Sequence, residues 1–207
     1  QNGMGNEAIL SDGLDCPVLA GTTTYGAILQ HPGVVEWTGR GDVVVGAWTQ
    51  EGTGRIDRVV SAFEAAGLET SADADIRTRL WEKLAVNAAI NPVTALARVN
   101  NGTVADLGLQ SIAHAAARET ARTARAEKTP LSDDRAVERT DDVIAATASN
   151  RSSMRQDIEA ERRTEIDAIT GYIVDRAAVH GLEVPVNRVL LGLVSGWERG
   201  RGLRRDG

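Results

Sequence analysis

One lysine and two asparagines lie four residues apart in the apolar segment from Leu80 to Pro92. In an α-helix, residues at this spacing differ by ~40° around the axis and ~6 Å along it, so Lys83, Asn87 and Asn91 share one face. A lysine among apolar groups can exchange its proton, and asparagine amides can hold hydroxyl or carboxylate oxygens. A solvent-reaching lysine with asparagines bonded to the backbone fits the same spacing, so both interpretations stay open.

Lys83 is one of two lysines in the sequence, which carries 21 arginines as its other basic residues. An arginine stays protonated at any working pH, whereas a lysine in an apolar setting can have a lowered pKa. The rare use of lysine therefore favours a role for the proton of Lys83.

The composition is typical of a globular protein with an acidic balance. The 207 residues are 42% hydrophobic, with a net charge of -6 and a pI near 5.2, which allows one medium domain or two small ones. The charge argues against nucleic-acid binding, and no apolar run predicts a membrane span. We expect no leader peptide, a cytoplasmic location and no metal site. The single cysteine, Cys16, is interpreted as a buried structural thiol.

The first third of the chain is predicted to form short strands and one helix. Apolar runs between turn residues predict three strands, at Val18 to Ala20, Val34 to Trp37 and Val43 to Val45. The last two are predicted to pair as an antiparallel hairpin across Gly39 to Asp42. A helix is predicted over 55–66 with Gly67 as its C-terminal cap, followed by a short strand at 68–70.

From about Asp75 onward the sequence predicts helices and no strands. Apolar residues at spacings of three and four indicate helices over 76–91, 103–127, 133–148 and 154–181, the last of which is closed by Gly181. A terminal helix is predicted from Pro185 to about Trp197.

Residues 3–8 match the dinucleotide fingerprint G-x-G-x-x-A, with Gly3, Gly5 and Ala8 at its fixed positions. No strand precedes the match, so we do not interpret it as a nucleotide loop. The first strands instead suggest the closing edge of a sheet, and we expect a preceding part of a nucleotide-binding domain upstream of Gln1.

Five motifs in register resemble one family, 2-dehydropantoate 2-reductase, also called ketopantoate reductase. The resemblance runs from Gln1 to about Asn187 and is more specific than any single motif. The motifs are Gln1-Asn2-Gly3, Gly21-Thr22-Thr23-Thr24, Lys83-Leu84-Ala85-Val86-Asn87 with Asn91-Pro92, Asn150-Arg151-Ser152-Ser153-Met154, and Thr164-Glu165-Ile166-Asp167.

The resemblance implies a fold and a reaction. The expected fold class is α/β plus all-α, with the C-terminal remainder of a Rossmann-type NADP-binding domain at 1–74 and an all-helical, 6-phosphogluconate-dehydrogenase-like domain at 75–207. The implied activity is NADPH-dependent reduction of 2-dehydropantoate to pantoate, in the biosynthesis of pantothenate and coenzyme A. With the upstream part of the cofactor domain absent, the isolated chain is expected to bind NADPH weakly.

The resemblance also assigns roles to individual residues. Lys83 matches the lysine that donates a proton to the keto oxygen. Substrate binding is implied for Asn2, Lys83, Asn87, Asn91, Asn101, Asn150 and Ser153, and cofactor binding for Asn2, Ala27 and Glu165.

Three of these residues have plainer interpretations from the sequence alone. Asn101 precedes Gly102 and would be a turn residue. Ser153 and Gln156 form a capping-box pattern for a helix that begins at Met154. Glu165 lies in a charged run and would otherwise face solvent.

Two alternatives to the leading function remain open. One is a reductase of another branched 2-keto acid with the same catalytic residues. The other is a non-catalytic helical interaction or dimerisation module. The expected partner is a small 2-keto acid, with no nucleic acid and no membrane, and a homodimer is one assembly that the sequence leaves open.

Overall fold

The computed structural model describes residues 2–204; Gln1, residues 205–207 and the side chain of Leu107 lie outside the described part. Contacts divide the chain into two units. The helical unit contains residues 2–5 and 81–204, and the sheet unit is Asn6–Leu80. The assignment of 1–74 and 75–207 to separate domains stays a prediction.

The sheet unit contains two sheets and two α-helices. Strand β4 is central to a three-stranded sheet, antiparallel to β1 and parallel to β5. A helix joins the parallel pair, as such a crossover requires. The elements are α1 Asn6–Gly13, β1 Leu19–Thr23, β2 Gly26–His31, β3 Val34–Gly39, β4 Val43–Ala47, a 3-10 helix Gln50–Arg55, α2 Ile56–Ala65 and β5 Thr70–Ala72.

The predicted hairpin across Gly39 to Asp42 is wrong, because β3 pairs with β2 while β4 pairs with β1. The observed hairpin turns at Gly33, where φ is +86°. The N–H of Thr24 donates to the carbonyl of Asp42 at 3.0 Å, and the N–H of Asp42 donates to Thr24 Oγ1 at 2.9 Å. A Cβ at Gly41 would lie 2.4 Å from the carbonyl carbon of Thr24. This close approach carries the chain from β3 back to the end of β1.

Three smaller predictions for the sheet unit have mixed outcomes. The helix that ends before Gly67 is confirmed, and Gly67 adopts the expected left-handed conformation with φ of +82°. The final strand lies at Thr70–Ala72, two residues later than predicted. Cys16 is exposed rather than buried, because it lies in the connection between α1 and β1.

The helical unit consists of helices and turns, and no strand occurs in residues 75–204, as predicted. An α/β segment followed by helices confirms the predicted fold class. Helix α3 begins before the contact division at Leu80 and continues through Pro92. The elements are α3 Ile76–Ala97, a 3-10 helix Asn101–Ala105, α4 Leu107–Ala126, α5 Asp133–Ala146, α6 Ser153–Glu159, a π-helix Asp167–Gly171, α7 Tyr172–Val179 and α8 Pro185–Gly200.

The single helix predicted over 154–181 is wrong, because the structure breaks it after Glu159. Glu161 has a φ of +51°, which an α-helix does not accommodate. The N–H of Arg162 turns back to the carbonyl of Asp157 at 2.8 Å. The chain becomes helical again near Ile166, and Gly181, with φ of +64°, follows the end of α7 as predicted.

Within residues 2–204, none of the helices has the length and apolar character needed to cross a membrane.

Candidate active site

Helix α3 presents the three polar residues on which the sequence analysis focused. Lys83 and Asn87 are half-buried and Asn91 is 6% exposed, while Ala85 and Ala89 on the opposite side are completely buried. The side-chain nitrogen of Asn87 is buried and has no hydrogen-bond partner within residues 2–204. A buried amide donor without a partner is costly, so this atom marks a place where a ligand oxygen would be favourable.

The surroundings of Lys83 shift its proton equilibrium. Burial lowers its pKa below the ordinary lysine value of 10.5, and the charge of Glu165 opposes this shift in part. Burial disfavours the ammonium form, whereas a nearby carboxylate stabilises it. Lys83 is therefore a cation that gives up its proton more readily than an exposed lysine.

Glu165 holds the start of the chain through two hydrogen bonds. The backbone N–H of Asn2 donates to Glu165 Oε1 at 3.0 Å, and Asn2 Nδ2 donates to Glu165 Oε2 at 2.9 Å. We call this pair the Asn2–Glu165 clasp. It joins two predicted cofactor-binding residues that are 163 positions apart in sequence. Glu165 is half-buried, so its predicted alternative as a solvated helix residue is wrong.

Two glycines allow the segment after Asn2 to lie against the π-helix. Gly3 has a φ of +91°, and a Cβ there would lie 2.2 Å from the carbonyl oxygen of Ala168. The N–H of Met4 donates to that same oxygen at 3.1 Å. Gly5, with a φ of +105°, lies against the ring of Tyr172. In this structure the G-x-G pattern serves close backbone packing beside the clasp, with glycine required for contact and conformation.

Glu165 interacts electrostatically with Asp157 on α6, which is paired with Arg162 in the turn that follows. Burial raises the pKa of Asp157, and Arg162 opposes the shift by donating to Asp157 Oδ1 at 3.0 Å. The charge of Glu165 raises the pKa of Asp157 further. A π-helix next to a polar cluster is common at functional sites.

Asn101 has a structural role, and its predicted contact with substrate stays a prediction. Its N–H donates to the carbonyl of Asn150 at 2.9 Å, and its Nδ2 donates to Thr147 Oγ1 at 2.9 Å. The side-chain oxygen of Asn101 is buried and has no hydrogen-bond partner among residues 2–204. The structure thus brings Asn101 and Asn150 together through the backbone, while the side chain of Asn150 is exposed.

The predicted helix cap at Ser153 is wrong by one residue. Ser152 is the N-cap of α6, and its Oγ accepts from the N–H of Arg155 at 3.1 Å. Ser152 Oγ also accepts from Thr94 Oγ1 at 2.7 Å, which joins α6 to α3. Because Ser152 is buried and occupied in this way, the exposed Ser153 is the first residue of the helix instead. Its role toward substrate stays a prediction.

Ala27 is separate from the other predicted residues. It lies exposed on β2 in the sheet unit, whereas all the others belong to the helical unit. Its contact with cofactor stays a prediction.

Three residues that hold the elements around the site were not predicted from the sequence: Ser152, Thr164 and Glu198. The signal for Glu198 was present, because it continues the buried stripe of α8 after Leu190 and Val194. A carboxylate at a core position of an amphipathic helix is rare unless it is paired.

The amino-acid sequence of the chain is similar to that of known proteins along its whole length. The family model "Ketopantoate reductase PanE/ApbA C terminal" matches residues 75–198, and "Ketopantoate reductase PanE/ApbA" matches residues 1–50. The 2-dehydropantoate 2-reductase of Halobacterium salinarum is 41% identical over 209 residues, covering 100% of this chain and 67% of the relative. That of Archaeoglobus fulgidus is 42% identical over 201 residues, covering 97% and 67%.

Solved structures show the same relationship. A PanE/ApbA family ketopantoate reductase from Ralstonia eutropha superposes with a TM-score of 0.86 at 30% identity, covering 98% of this chain and 66% of that one. D-mandelate dehydrogenase with NADH and anilino(oxo)acetate superposes with a TM-score of 0.92 over 98% of this chain and 67% of that one. At 24% identity the second likeness concerns the fold alone.

Proposed function

The chain belongs to the ketopantoate reductase family, and on that premise we propose that it reduces 2-dehydropantoate to pantoate with NADPH, using Lys83 as the proton donor. Membership confirms the predicted resemblance. The chain spans 67% of the length of its Halobacterium relative. The observation that carries the proposal is the half-buried Lys83, with its lowered pKa, on the same helix face as Asn87, whose side-chain nitrogen has no hydrogen-bond partner within residues 2–204.

Lys83 has the properties that the reduction of a ketone needs. Negative charge develops on the keto oxygen as the carbonyl is reduced, and an ammonium group stabilises that charge and then donates its proton to the oxygen. Burial lowers the pKa of Lys83, which makes the proton easier to transfer, while Glu165 keeps the group from losing its charge too early.

Asn87 and Asn91 supply neutral contacts for the substrate. Asn87 Nδ2 is buried without a partner within residues 2–204, so a hydroxyl or carboxylate oxygen of the substrate would satisfy it. Asn91 is 6% exposed one helical turn further along α3. Amides can orient such oxygens without changing the charge around Lys83.

The Asn2–Glu165 clasp fits the polar end of a nicotinamide nucleotide. Asn2 donates to Glu165 from its backbone N–H and from its Nδ2. The side-chain oxygen of Asn2 takes part in neither of these two hydrogen bonds. A carboxylate and an amide oxygen match the ribose hydroxyls and the carboxamide of such a cofactor. When bound, NADPH supplies the hydride; the residues of this chain position the acid, the substrate and the cofactor.

The assembly and location of the protein complete the proposal. The ketopantoate reductase of Staphylococcus aureus is described as dimeric and superposes with a TM-score of 0.82 at 20% identity, which concerns the fold alone. We propose a homodimer and a cytoplasmic location for this chain as well. Sedimentation velocity checks the first.

Oxidation of NADPH in the presence of 2-dehydropantoate tests the proposal. Lys83→Ala is expected to lower kcat by about 10²-fold or more, because it removes the acid. Lys83→Arg keeps the charge but holds its proton, so it is expected to recover little activity. Lys128→Ala, which removes the other lysine, is the matched control and is expected to retain the wild-type rate.

A substrate panel defines how narrow the activity is. Turnover of 2-oxoisovalerate equal to that of 2-dehydropantoate would favour a broader 2-keto acid reductase. A wild-type chain that oxidises NADPH with neither acid at saturating NADPH, or a Lys83→Ala variant with normal kcat, would contradict the proposal.

A further inference from the structure

A completely buried carboxylate lies in the helical unit, outside the residues assigned to the reaction. Glu198 on α8 is completely buried. Its Oε1 accepts from the backbone N–H of Thr164 at 2.8 Å and from Thr164 Oγ1 at 2.7 Å. Arg204 Nη1 donates to Glu198 Oε2 at 3.2 Å. A buried carboxylate destabilises a fold unless it is paired, so this arrangement calls for an explanation.

The residue that Glu198 binds precedes a residue of the clasp. Thr164 Oγ1 donates to Glu198 and accepts from the N–H of Ile166 at 3.2 Å, so the backbone on both sides of Glu165 is fixed. The carbonyl of Glu165 itself accepts from the N–H of Ile169 at 3.1 Å. Glu165 is therefore held between a buried carboxylate and the first turn of the next helix.

The segment needs such an anchor because it lies between helices. Residues 160–165 follow α6 and precede the π-helix, and Glu161 has a left-handed φ of +51°. Thr164 is 7% exposed, whereas the three residues before it are exposed. Without the hydrogen bonds of a helix, side chains decide where such a turn lies.

Arg204 links this anchor to the π-helix as well. It donates to Ser195 Oγ at 2.7 Å and also binds Asp167, the first residue of the π-helix. The bond to Asp167 is the main cause that raises the pKa of Arg204. The guanidinium thus neutralises part of the buried negative charge and fixes α8 against the segment that follows Glu165.

We propose that Glu198 is a positioning residue for the Asn2–Glu165 clasp, acting through Thr164 and supported by Arg204. It fixes where the carboxylate of Glu165 lies relative to Lys83, and so it sets the charge that the proton donor experiences. The inference rests on the proposed roles of Lys83 and Glu165. It adds Glu198 as a residue that acts on Glu165 through Thr164, and on Lys83 through the charge of Glu165.

Glu119 provides a matched control. It is 3% exposed and accepts from the backbone N–H groups of Val186 and Asn187, both at 2.9 Å, and from Asn187 Nδ2 at 2.8 Å. Its chemistry is that of Glu198, a buried carboxylate that binds backbone N–H groups. Its hydrogen bonds, as described, go to the start of α8 and to no residue of the clasp.

The test is a direct titration of Lys83 by ¹³C NMR in protein labelled at lysine, which needs no catalysis. The two lysines give two side-chain signals, and Lys128→Arg assigns them. Glu165→Gln is expected to lower the titration midpoint of Lys83 by about one pH unit, because it removes a stabilising negative charge. Glu198→Gln is expected to lower it by about half a pH unit, and Glu119→Gln is expected to leave it unchanged.

The outcomes separate this inference from the proposed function. A lowered midpoint in Glu165→Gln with wild-type titration in Glu198→Gln would overturn the inference and leave the proposed site intact. A wild-type midpoint in Glu165→Gln would contradict the site itself, and the inference with it.

A second pair of variants covers the case in which Glu198→Gln does not fold. Thr164→Val removes the hydroxyl but keeps the buried volume, and it is expected to lower the Lys83 midpoint in the same direction as Glu198→Gln. Thr164→Ser keeps the hydroxyl and is expected to restore the wild-type titration. Equal midpoints in the valine and serine variants would overturn the inference.

Discussion

The two units of the molecule differ in how much apolar surface they bury. Among the residues described, the largest fully buried side chains belong to the helical unit with the exception of Ile76. In the sheet unit no residue of α1 or α2 is buried, and the β2–β3 hairpin is exposed over nearly its full length. The exposed apolar side chains of the sheet unit include Ile9 and Leu10 on α1 and Leu29, Val35 and Trp37 on the hairpin.

This difference explains where the polar chemistry lies. A lowered lysine pKa requires desolvation, and desolvation requires a packed surrounding such as the one around α3. A clasp with two hydrogen bonds keeps its geometry only when the elements that carry it are held by their own packing. The helical unit supplies both conditions, since Ile166, Ile169 and Ile173 behind Glu165 are at most 1% exposed.

The largest expected effect is on stability: truncating an apolar side chain should cost much more free energy in the helical unit than in the sheet unit. Ile173→Ala in α7 removes a completely buried side chain and is expected to lower the free energy of unfolding by about 3 kcal/mol. Leu29→Ala on β2 truncates a side chain that is 66% exposed, with an expected change within about 0.5 kcal/mol. Urea denaturation of both variants measures the contrast, and equal losses would contradict it.

A smaller effect, on activity, compares two glycines with similar backbone angles. Gly3 and Gly33 have φ of +91° and +86°. A Cβ at Gly3 would meet the backbone of Ala168 at 2.2 Å, whereas one at Gly33 would meet nothing within 4 Å. Gly3→Ala is expected to displace Asn2 and to lower kcat/KM by about 10²-fold.

Gly33→Ala is the control for backbone strain. It is expected to destabilise the hairpin by about 1 kcal/mol and to leave kcat/KM unchanged. Steady-state kinetics and thermal melting of the two variants separate the effects. Similar kinetics for the two variants would show that the contact of Gly3 with Ala168 does not position the clasp.

Much of the helical unit could be predicted from the sequence. Helices α3, α4, α5 and α8 follow from apolar periodicity, which local packing reinforces. The break after Glu159 could not be predicted in this way, because the apolar spacing continues through it. The backbone of Glu161 leaves the helical conformation there, with a φ of +51°. The β2–β3 pairing was missed because no strand was predicted over Gly26–His31, so the strand at Val34 to Trp37 was paired with the next predicted strand instead.

The candidate site could be predicted in part. Lys83, Asn87 and Asn91 followed from their spacing on one helix, which is local information. Asn2 and Glu165 were assigned to the site only through the family resemblance, and their hydrogen bonds were not predicted, since no local pattern joins residues 163 positions apart. Ser152 and Ser153 are adjacent and chemically equal, so only the observed bond from the N–H of Arg155 shows that Ser152 is the cap.

The pKa of Lys83 in the wild-type protein tests the central claim most directly. Burial disfavours the charged form, so the group loses its proton at a lower pH than an exposed lysine, and a reaction that needs the ammonium slows as the pH rises through that value. The same ¹³C titration measures it, with kcat followed over the same pH range. The account predicts a midpoint clearly below 10.5 and a decline of kcat near that midpoint. A midpoint at 10.5, or a kcat that does not follow the titration, would contradict it.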